Sequence, residues 1–282
     1  MIADRTEVVP EPATATTGRR SKTPKPIQRH PPTVKAVVPA AGEGTRLRPL
    51  TDERPKGLVE IDGRPLLSYV FDRLVDLDDA DVALEIEEVV VVTGYRGEQI
   101  REVYSDAYRG TSLTYVTQEP RRGLADAVFQ AADHVDSTFV VLNGDNVFGA
   151  GLAEVLERHE RTEASGTIVV ERSSVEAART TGVVVTDGED EVERIVEKPD
   201  EPPTTLTTTG CYVLPPALFE VRDRLAPSDR GEYELADAIE HLIDAGHRFR
   251  ALECDDWRVN VNAPADVERV ERLLGWGSSS QD

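Results

Sequence analysis

The sequence predicts an α/β protein: a three-layer α/β/α domain on a mostly parallel, mixed sheet, with a small antiparallel subdomain in its second half. Three observations carry this. Valine-rich runs such as "EEVVVVTG" (87–94) and "TFVVLNGD" (138–145) lack polar alternation, as strands buried on both faces do. Through the first half they alternate with helical segments, the pattern of a parallel sheet covered on both sides. The second half is instead rich in hairpins.

Taken in order, "VKAVVPA" (34–40) is a short apolar strand running into a glycine loop. Pro65 to Leu77 reads as a helix, with Pro in the first position and Leu66, Val70, Leu74 and Leu77 on one face. The valine strand 87–94 precedes a helix at Glu98–Tyr104, and "LTYVTQE" (113–119) alternates as a strand. "GLADAVFQAADHV" (123–135) is amphipathic at helical spacing, before the second valine strand. A helix at Leu152–His159 and a strand at Gly166–Arg172 follow. Residues 181–199 form a hairpin turning at Asp187-Gly188, and 207–216 is a strand stopped by prolines. A helix over 233–246, a strand over 249–257 and a closing helix over 263–276, with Pro264 in its first turn, complete the domain. No repeat of period 20–50 is present.

The chain has 282 residues and 39% hydrophobic content, enough to bury a sizeable core. Its net charge of −21 argues against nucleic-acid and membrane-surface partners, which require a basic face. No apolar run approaches the roughly 18 residues of a transmembrane helix, and no secretory h-region is visible, so a cytoplasmic location is expected. Cys211 and Cys254 are too few for a disulfide scaffold or zinc site and read as small buried side chains. Residues 1–33, rich in Pro and Thr, read as a disordered extension; 34–276 is the domain and 277–282 a flexible tail. Only five of the 32 basic residues are Lys, against 53 acids, a balance suited to a high-salt proteome. Each lysine kept in the domain therefore suggests a task that a planar guanidinium does not perform. Lys35, at a strand start, reads as solvated.

The stretch "VVPAAGEGTRLRPLTDERPKGL" (37–58) gathers Arg46, Arg48, Arg54 and Lys56 behind a glycine loop. It matches neither GxGxxG nor GxxxxGK[ST]. Ala40, Ala41, Gly42 and Gly44 nevertheless leave backbone N–H groups free to close on an anion, and Arg46 and Lys56 add positive charge. Asp145 stands at the carboxyl edge of a buried strand, where α/β sheets place ligands and where Mg²⁺ could be held. Gln118 stands at a strand end. The histidines show no catalytic spacing.

Extended to "VPAAGEGTRLRPLTDERPKGLVEIDGRPLL", this stretch resembles the signature of the sugar-1-phosphate nucleotidyltransferases. The resemblance continues through "VVVVTGYRGEQI", "QEPRRGLADAV", "LNGDNVF", "VEKP", "GEYELADAI" and "WRVNVNAPADVERV", over roughly residues 34–276. The Gly-Asp-Asn form is closest to glucose-1-phosphate thymidylyltransferases. The resemblance implies a Rossmann-like fold whose antiparallel subdomain binds sugar. The implied reaction joins UTP or dTTP to a hexose-1-phosphate, glucose-1-phosphate first, giving NDP-sugar and pyrophosphate with Mg²⁺. Gly42 and Gly44 would cradle the triphosphate, Arg46 the leaving pyrophosphate, and Lys56 the α-phosphate and attacking oxygen. Gln118 would read the base through an amide that both donates and accepts. Gly123 would let the base approach the backbone, with Asp126 in a dipole or capping role. Lys198 would bind the sugar phosphate and Glu197 the sugar hydroxyls, with Gly182 and Gly210 beside them. Asp145 would hold the metal. Counting from Pro264, Asn260 falls where many relatives carry a second acidic ligand, and an amide oxygen there would bind Mg²⁺ more weakly. An amino-sugar phosphate such as N-acetylglucosamine-1-phosphate is the alternative acceptor. A non-catalytic nucleotide-sugar-binding homologue would be expected to lose Arg46, Lys56, Asp145 or Lys198, and all four are present. The sequence leaves the base, the sugar and any homo-oligomer open.

Overall fold

The computed structural model describes residues 33–76, 85–149, 152–254 and 256–278. The expected extension and tail lie outside these, except Thr33 in the first strand and the backbone of 277–278 in the last helix. The chain begins with β1 (Thr33–Pro39) and passes two single-turn 3₁₀ segments, Thr45–Leu47 and Lys56–Leu58. A minimal hairpin, β2 (Glu60–Ile61) and β3 (Arg64–Pro65), leads into α1 (Leu66–Val75). β4 (Glu85–Thr93), α2 (Gly97–Tyr104), β5 (Ala107–Tyr108), β6 (Thr111–Thr117) and α3 (Leu124–Phe129) follow. Then come β7 (Phe139–Leu142), β8 (Asn146–Phe148), α4 (Leu152–Glu160), β9 (Gly166–Arg172) and α5 (Val175–Ala178). β10 (Gly182–Thr186), β11 (Val192–Glu197), β12 (Leu206–Leu214), α6 (Leu235–Asp244), β13 (Phe249–Glu253), β14 (Arg258–Asn260) and α7 (Pro264–Ser278) end the fold.

β1 is central, parallel to β4 on one side and β7 on the other. The main sheet runs β11-β10-β12-β7-β1-β4-β6-β5, with β9 on β12 and β13 on β9. After β1 the chain builds outward through β4 and β6, then returns to β7 on the opposite side. This reversal leaves a crevice at the carboxyl ends of β1 and β7, where such sheets bind ligands.

The valine runs behave as period two requires. Val37, Val90 and Val92 face a core shared with α3 and α6, whereas Ala36, Val38, Val89 and Val91 face one shared with α1, α2 and α4. A third, smaller core joins Leu47 and Val59 near the glycine loop, Val147 of β8, Val259 of β14 and Val267 and Val270 of α7.

The antiparallel half continues the main sheet. The first part of β12 pairs with β10 at Thr207, and its second part pairs with β7 from Cys211 to Leu214. Between them lies an irregularity over Thr208–Tyr212 that contains Gly210. The ribbon β8–β14 joins three-residue strands more than a hundred positions apart and has no local signature.

Other expectations are revised. Pro65 precedes α1 rather than opening it, pairing with Glu60 in the small hairpin, and Leu77 lies outside the described residues. The helix expected over 123–135 ends at Phe129 and resumes as a 3₁₀ turn at Ala132–His134. There, Ala131 and Val135 are drawn into the core, and the Lys35 ammonium donates to the His134 carbonyl at 2.9 Å. Lys35 is therefore not a solvated strand end. It also pairs with Glu88, its register partner on β4, at 2.9 Å, and this contact holds its ammonium above the usual range. Cys211 is buried, but Cys254 only half so.

Candidate active site

The crevice at the ends of β1 and β7 holds a cavity of about 400 Å³. Ala40, Ala41, Gly42, Gly44, Arg46, Lys56, Gln118, Gly123 and Asp145, all singled out from the sequence, line it. Arg121, Asn143, Glu232 and Asn262 line it as well. Gly182, Glu197, Lys198, Gly210 and Asn260 are not among its lining residues.

The four cations behind the glycine loop divide into two pairs. Arg48 is held by Glu43 at 2.8 Å, and Arg54 by Glu60 at 2.8 Å, both on the exposed side. Arg46 and Lys56 turn inward. The Lys56 ammonium donates to Asp145 Oδ2 at 2.7 Å and to Asn262 Oδ1 at 2.9 Å, and Arg46 Nη2 donates to the same amide oxygen at 2.9 Å. Only 11% of the Lys56 side chain is exposed, so its stem is buried and its head is fixed at the crevice. Glu43 also accepts from Arg121 at 3.1 Å, tying the glycine loop to the segment after β6. The two guanidiniums, Arg121 foremost, hold the Glu43 carboxyl below its usual range.

Asn262 organises this knot. Its carbonyl receives two cations, so its Nδ2 faces away and donates to Asn260 Oδ1 at 2.7 Å. Its backbone N–H, with that of Ala263, bonds Asp266 Oδ2 at 2.8 Å each at the start of α7. Asn262 was not singled out from the sequence. The signal was its period-two offset from Asn260 on the exit of one strand.

Gln118 is buried, and its Nε2 donates to the Gly123 carbonyl at 3.0 Å and to Asp126 Oδ2 at 2.8 Å. Both partners only accept, so the amide orientation is fixed and both donor hydrogens are engaged. A ligand therefore meets the Gln118 carbonyl oxygen alone, not the donor–acceptor pair expected. Asp126 also accepts from Arg122 at 3.3 Å. It orients Gln118 from the first turn of α3, beyond the capping role expected. Gly123 has φ 101°, and a Cβ there would stand 2.5 Å from the Tyr233 carbonyl oxygen. A crossing of two backbones thus demands glycine at this position.

Asp145 lies three residues past the end of β7, in the turn to β8. Its Oδ1 accepts from Asn146 Nδ2 at 3.0 Å. Asn143 Oδ1 is buried without a hydrogen-bond partner. Gly210, φ 80°, faces this turn, and a Cβ on it would lie 2.7 Å from the amide nitrogens of both Asn143 and Asn146. Gly210 makes room for two side chains beside the Asp145 turn.

Farther along the sheet, Gly182 faces Glu197 in register across β10 and β11. The Lys198 ammonium meets Glu197 Oε1 at 3.0 Å. Burial pushes the Glu197 carboxyl above its usual range, with Lys198 opposing and Glu234 reinforcing. Glu234 is buried and held by Ser228 at 3.0 Å and Arg230 at 2.8 Å.

Among the described residues no helix is long and apolar enough to cross a membrane, and no group of three or more His, Cys, Asp or Glu is gathered for a metal. One carboxylate with nearby amide oxygens suits a cation that takes most of its oxygens from substrate phosphates.

This chain is similar to known proteins. The family model described as nucleotidyl transferase matches residues 35–276. A UTP–glucose-1-phosphate uridylyltransferase of Haloferax volcanii is 43% identical over 86% of this chain and 96% of its own length. A glucose-1-phosphate thymidylyltransferase of Streptomyces antibioticus is 33% identical over 86% of this chain and 66% of its own. The crystal structure of a UDP-glucose pyrophosphorylase with UDP-glucose superposes with a TM-score of 0.77 at 21% identity, covering 87% of this chain and 99% of that one, and supports the fold. With the sheet, the crevice and its inward-facing cations in place, the match over nearly all the folded residues shows that this chain belongs to the nucleotidyl transferase family.

Proposed function

We propose that the protein transfers the nucleoside monophosphate of UTP or dTTP to a hexose-1-phosphate, foremost glucose-1-phosphate, releasing pyrophosphate. The observation that carries the proposal is the Lys56–Asn262–Arg46 knot: two cations converge on one amide oxygen at a glycine loop, in a chain of net charge −21. Such a cavity recognises polyanions. A phosphate oxygen of the sugar ester attacks the α-phosphorus in line, and the bond from that phosphorus to the bridging oxygen breaks, leaving pyrophosphate. Two anions must approach one another, so alignment and charge neutralisation supply most of the rate.

Backbone N–H groups of the loop at Gly42 and Gly44 receive the triphosphate, and Arg46 holds the departing pyrophosphate. Lys56 neutralises the α-phosphate and the attacking oxygen. Gln118 accepts the N3–H of uracil or thymine; cytosine would set a lone pair against it. Lys198 takes the sugar's phosphate and Glu197 its hydroxyls, beside Gly182 and Gly210. Asp145, with the Asn260 amide, would hold Mg²⁺, which would supply positive charge against the charge developing on the phosphates. The uridylyltransferase and thymidylyltransferase relatives support this choice of substrates. The scarcity of lysine and the 53 acids support a high-salt cytoplasm as the setting.

Pyrophosphate release, measured in molar KCl across four nucleoside triphosphates and several sugar-1-phosphates, tests the reading. UTP or dTTP with a hexose-1-phosphate should be preferred, and Lys56→Ala should lower turnover at least about 100-fold. Wild-type rates in that variant would sink the assignment.

A further inference from the structure

Asp145 has two carboxylate oxygens with separate partners, and the separation is built from the β8–β14 ribbon. Arg258 on β14 reaches Asn146 on β8 with an Nη1–Oδ1 distance of 2.6 Å. Its other nitrogens are held by Glu171 of β9, Nε at 3.3 Å and Nη2 closer still. The Arg258 side chain is only 11% exposed, and Asn146 is buried.

A guanidinium only donates, so Asn146 must turn its Oδ1 toward Arg258 and its Nδ2 the other way. That Nδ2 donates to Asp145 Oδ1 at 3.0 Å. The remaining oxygen, Oδ2, is the one that meets Lys56. Without Arg258 the buried Asn146 Oδ1 loses its partner, and the amide must shift to find another, drawing its Nδ2 and the Asp145 carboxylate out of line. Gly210 completes the arrangement by leaving space beside the Asn146 nitrogen.

We infer that Arg258, seated by Glu171, is a positioning residue: through Asn146 it pins Oδ1 of Asp145 and so sets the direction of Oδ2, whose lone pair not taken by Lys56 would meet a divalent cation. The inference rests on the proposed role of Asp145 as metal carboxylate. It also explains the residue type. A planar fork serves Glu171 and Asn146 together, which a single ammonium cannot do with the same geometry.

The test is a Mn²⁺ titration of the full-length enzyme–UTP complex, followed by electron paramagnetic resonance without sugar phosphate, beside UTP affinity measured in EDTA. In Arg258→Leu, Mn²⁺ half-saturation should rise roughly tenfold or more, while UTP affinity in EDTA stays within about twofold. Arg258→Lys should recover only part of the Mn²⁺ affinity. A Mn²⁺ curve superimposable on wild type overturns the inference, as does a parallel loss of metal-free UTP binding, which would mark a general structural role. If Arg258→Leu does not fold, Glu171→Gln is read by the same criteria. Asp145→Asn separates the two levels. If it leaves Mn²⁺ binding unchanged, the metal reading itself fails; if it weakens binding while Arg258→Leu does not, only the positioning inference fails.

Discussion

Replacing Gly210 by Ala adds one methyl group where β12 faces the turn between β7 and β8. The residue has φ 80°, so a side chain costs about 1–2 kcal/mol of backbone strain alone. The new Cβ would lie 2.7 Å from the amide nitrogens of Asn143 and Asn146. Asn146 must then move, weakening its bonds to Arg258 at 2.6 Å and Asp145 at 3.0 Å. Hydrogen bonds to charged groups are worth about 1.5–3 kcal/mol, so that much is expected beyond the strain. Gly188 supplies the control: its φ is 93°, and nothing stands within 4 Å of a Cβ there. Gly188→Ala should show only the strain. Thermal unfolding in molar KCl should place Gly210→Ala about 3–12 °C below Gly188→Ala for a domain of this size. Equal melting temperatures would refute the crowding argument, however inactive the Gly210 variant proved.

Two further outcomes follow from the titratable and polar groups. Burial raises the Glu197 carboxyl's pKa in the folded state above its unfolded value near about 4.3. Its contribution to stability is therefore whole below that pH and lost as pH rises through the folded value. Glu197→Gln should accordingly melt higher than wild type at pH 7 and lose this advantage near pH 4, while its KM for the sugar phosphate rises; an advantage independent of pH would contradict the cause given. Gln118→Ala strands the acceptors Gly123 O and Asp126 Oδ2. It should cost about 1–3 kcal/mol in urea unfolding, and the UTP-over-CTP ratio of kcat/KM should fall roughly tenfold or more; an unchanged ratio would remove Gln118 from base reading.

Much of the fold was legible because its strands are local statements. β4 and β7 carry uninterrupted apolar runs, and β9 falls on the boundaries that its composition indicates. What escaped was set by distant partners. Nothing near Lys35 announces Glu88 or the His134 carbonyl, and nothing near Arg258 announces Asn146, 112 positions earlier. The ribbon β8–β14 is too short for periodicity to register. The lining of the crevice was legible because glycine, lysine and aspartate stand there in compact motifs. Even so, residue type did not disclose direction: Gln118 has spent its donors, and Arg48 and Arg54 look away from the cavity. Gly182, Glu197, Lys198 and Gly210 were harder to place, since they come from β10, the end of β11 and β12.

The smallest of the three cores has a temporal consequence. Val259, Val261, Val267 and Val270 close over Leu47, Val59 and Val147, and Asn262 stands between them as anchor for Lys56 and Arg46. All of these closing residues are synthesised after the last strand of the main sheet. A chain ending before β14 would contain all ten strands of the main sheet yet lack the clasp that aims its two cations. The inward aim of Lys56 and Arg46 thus depends on residues made last, and is not a property of the sheet alone.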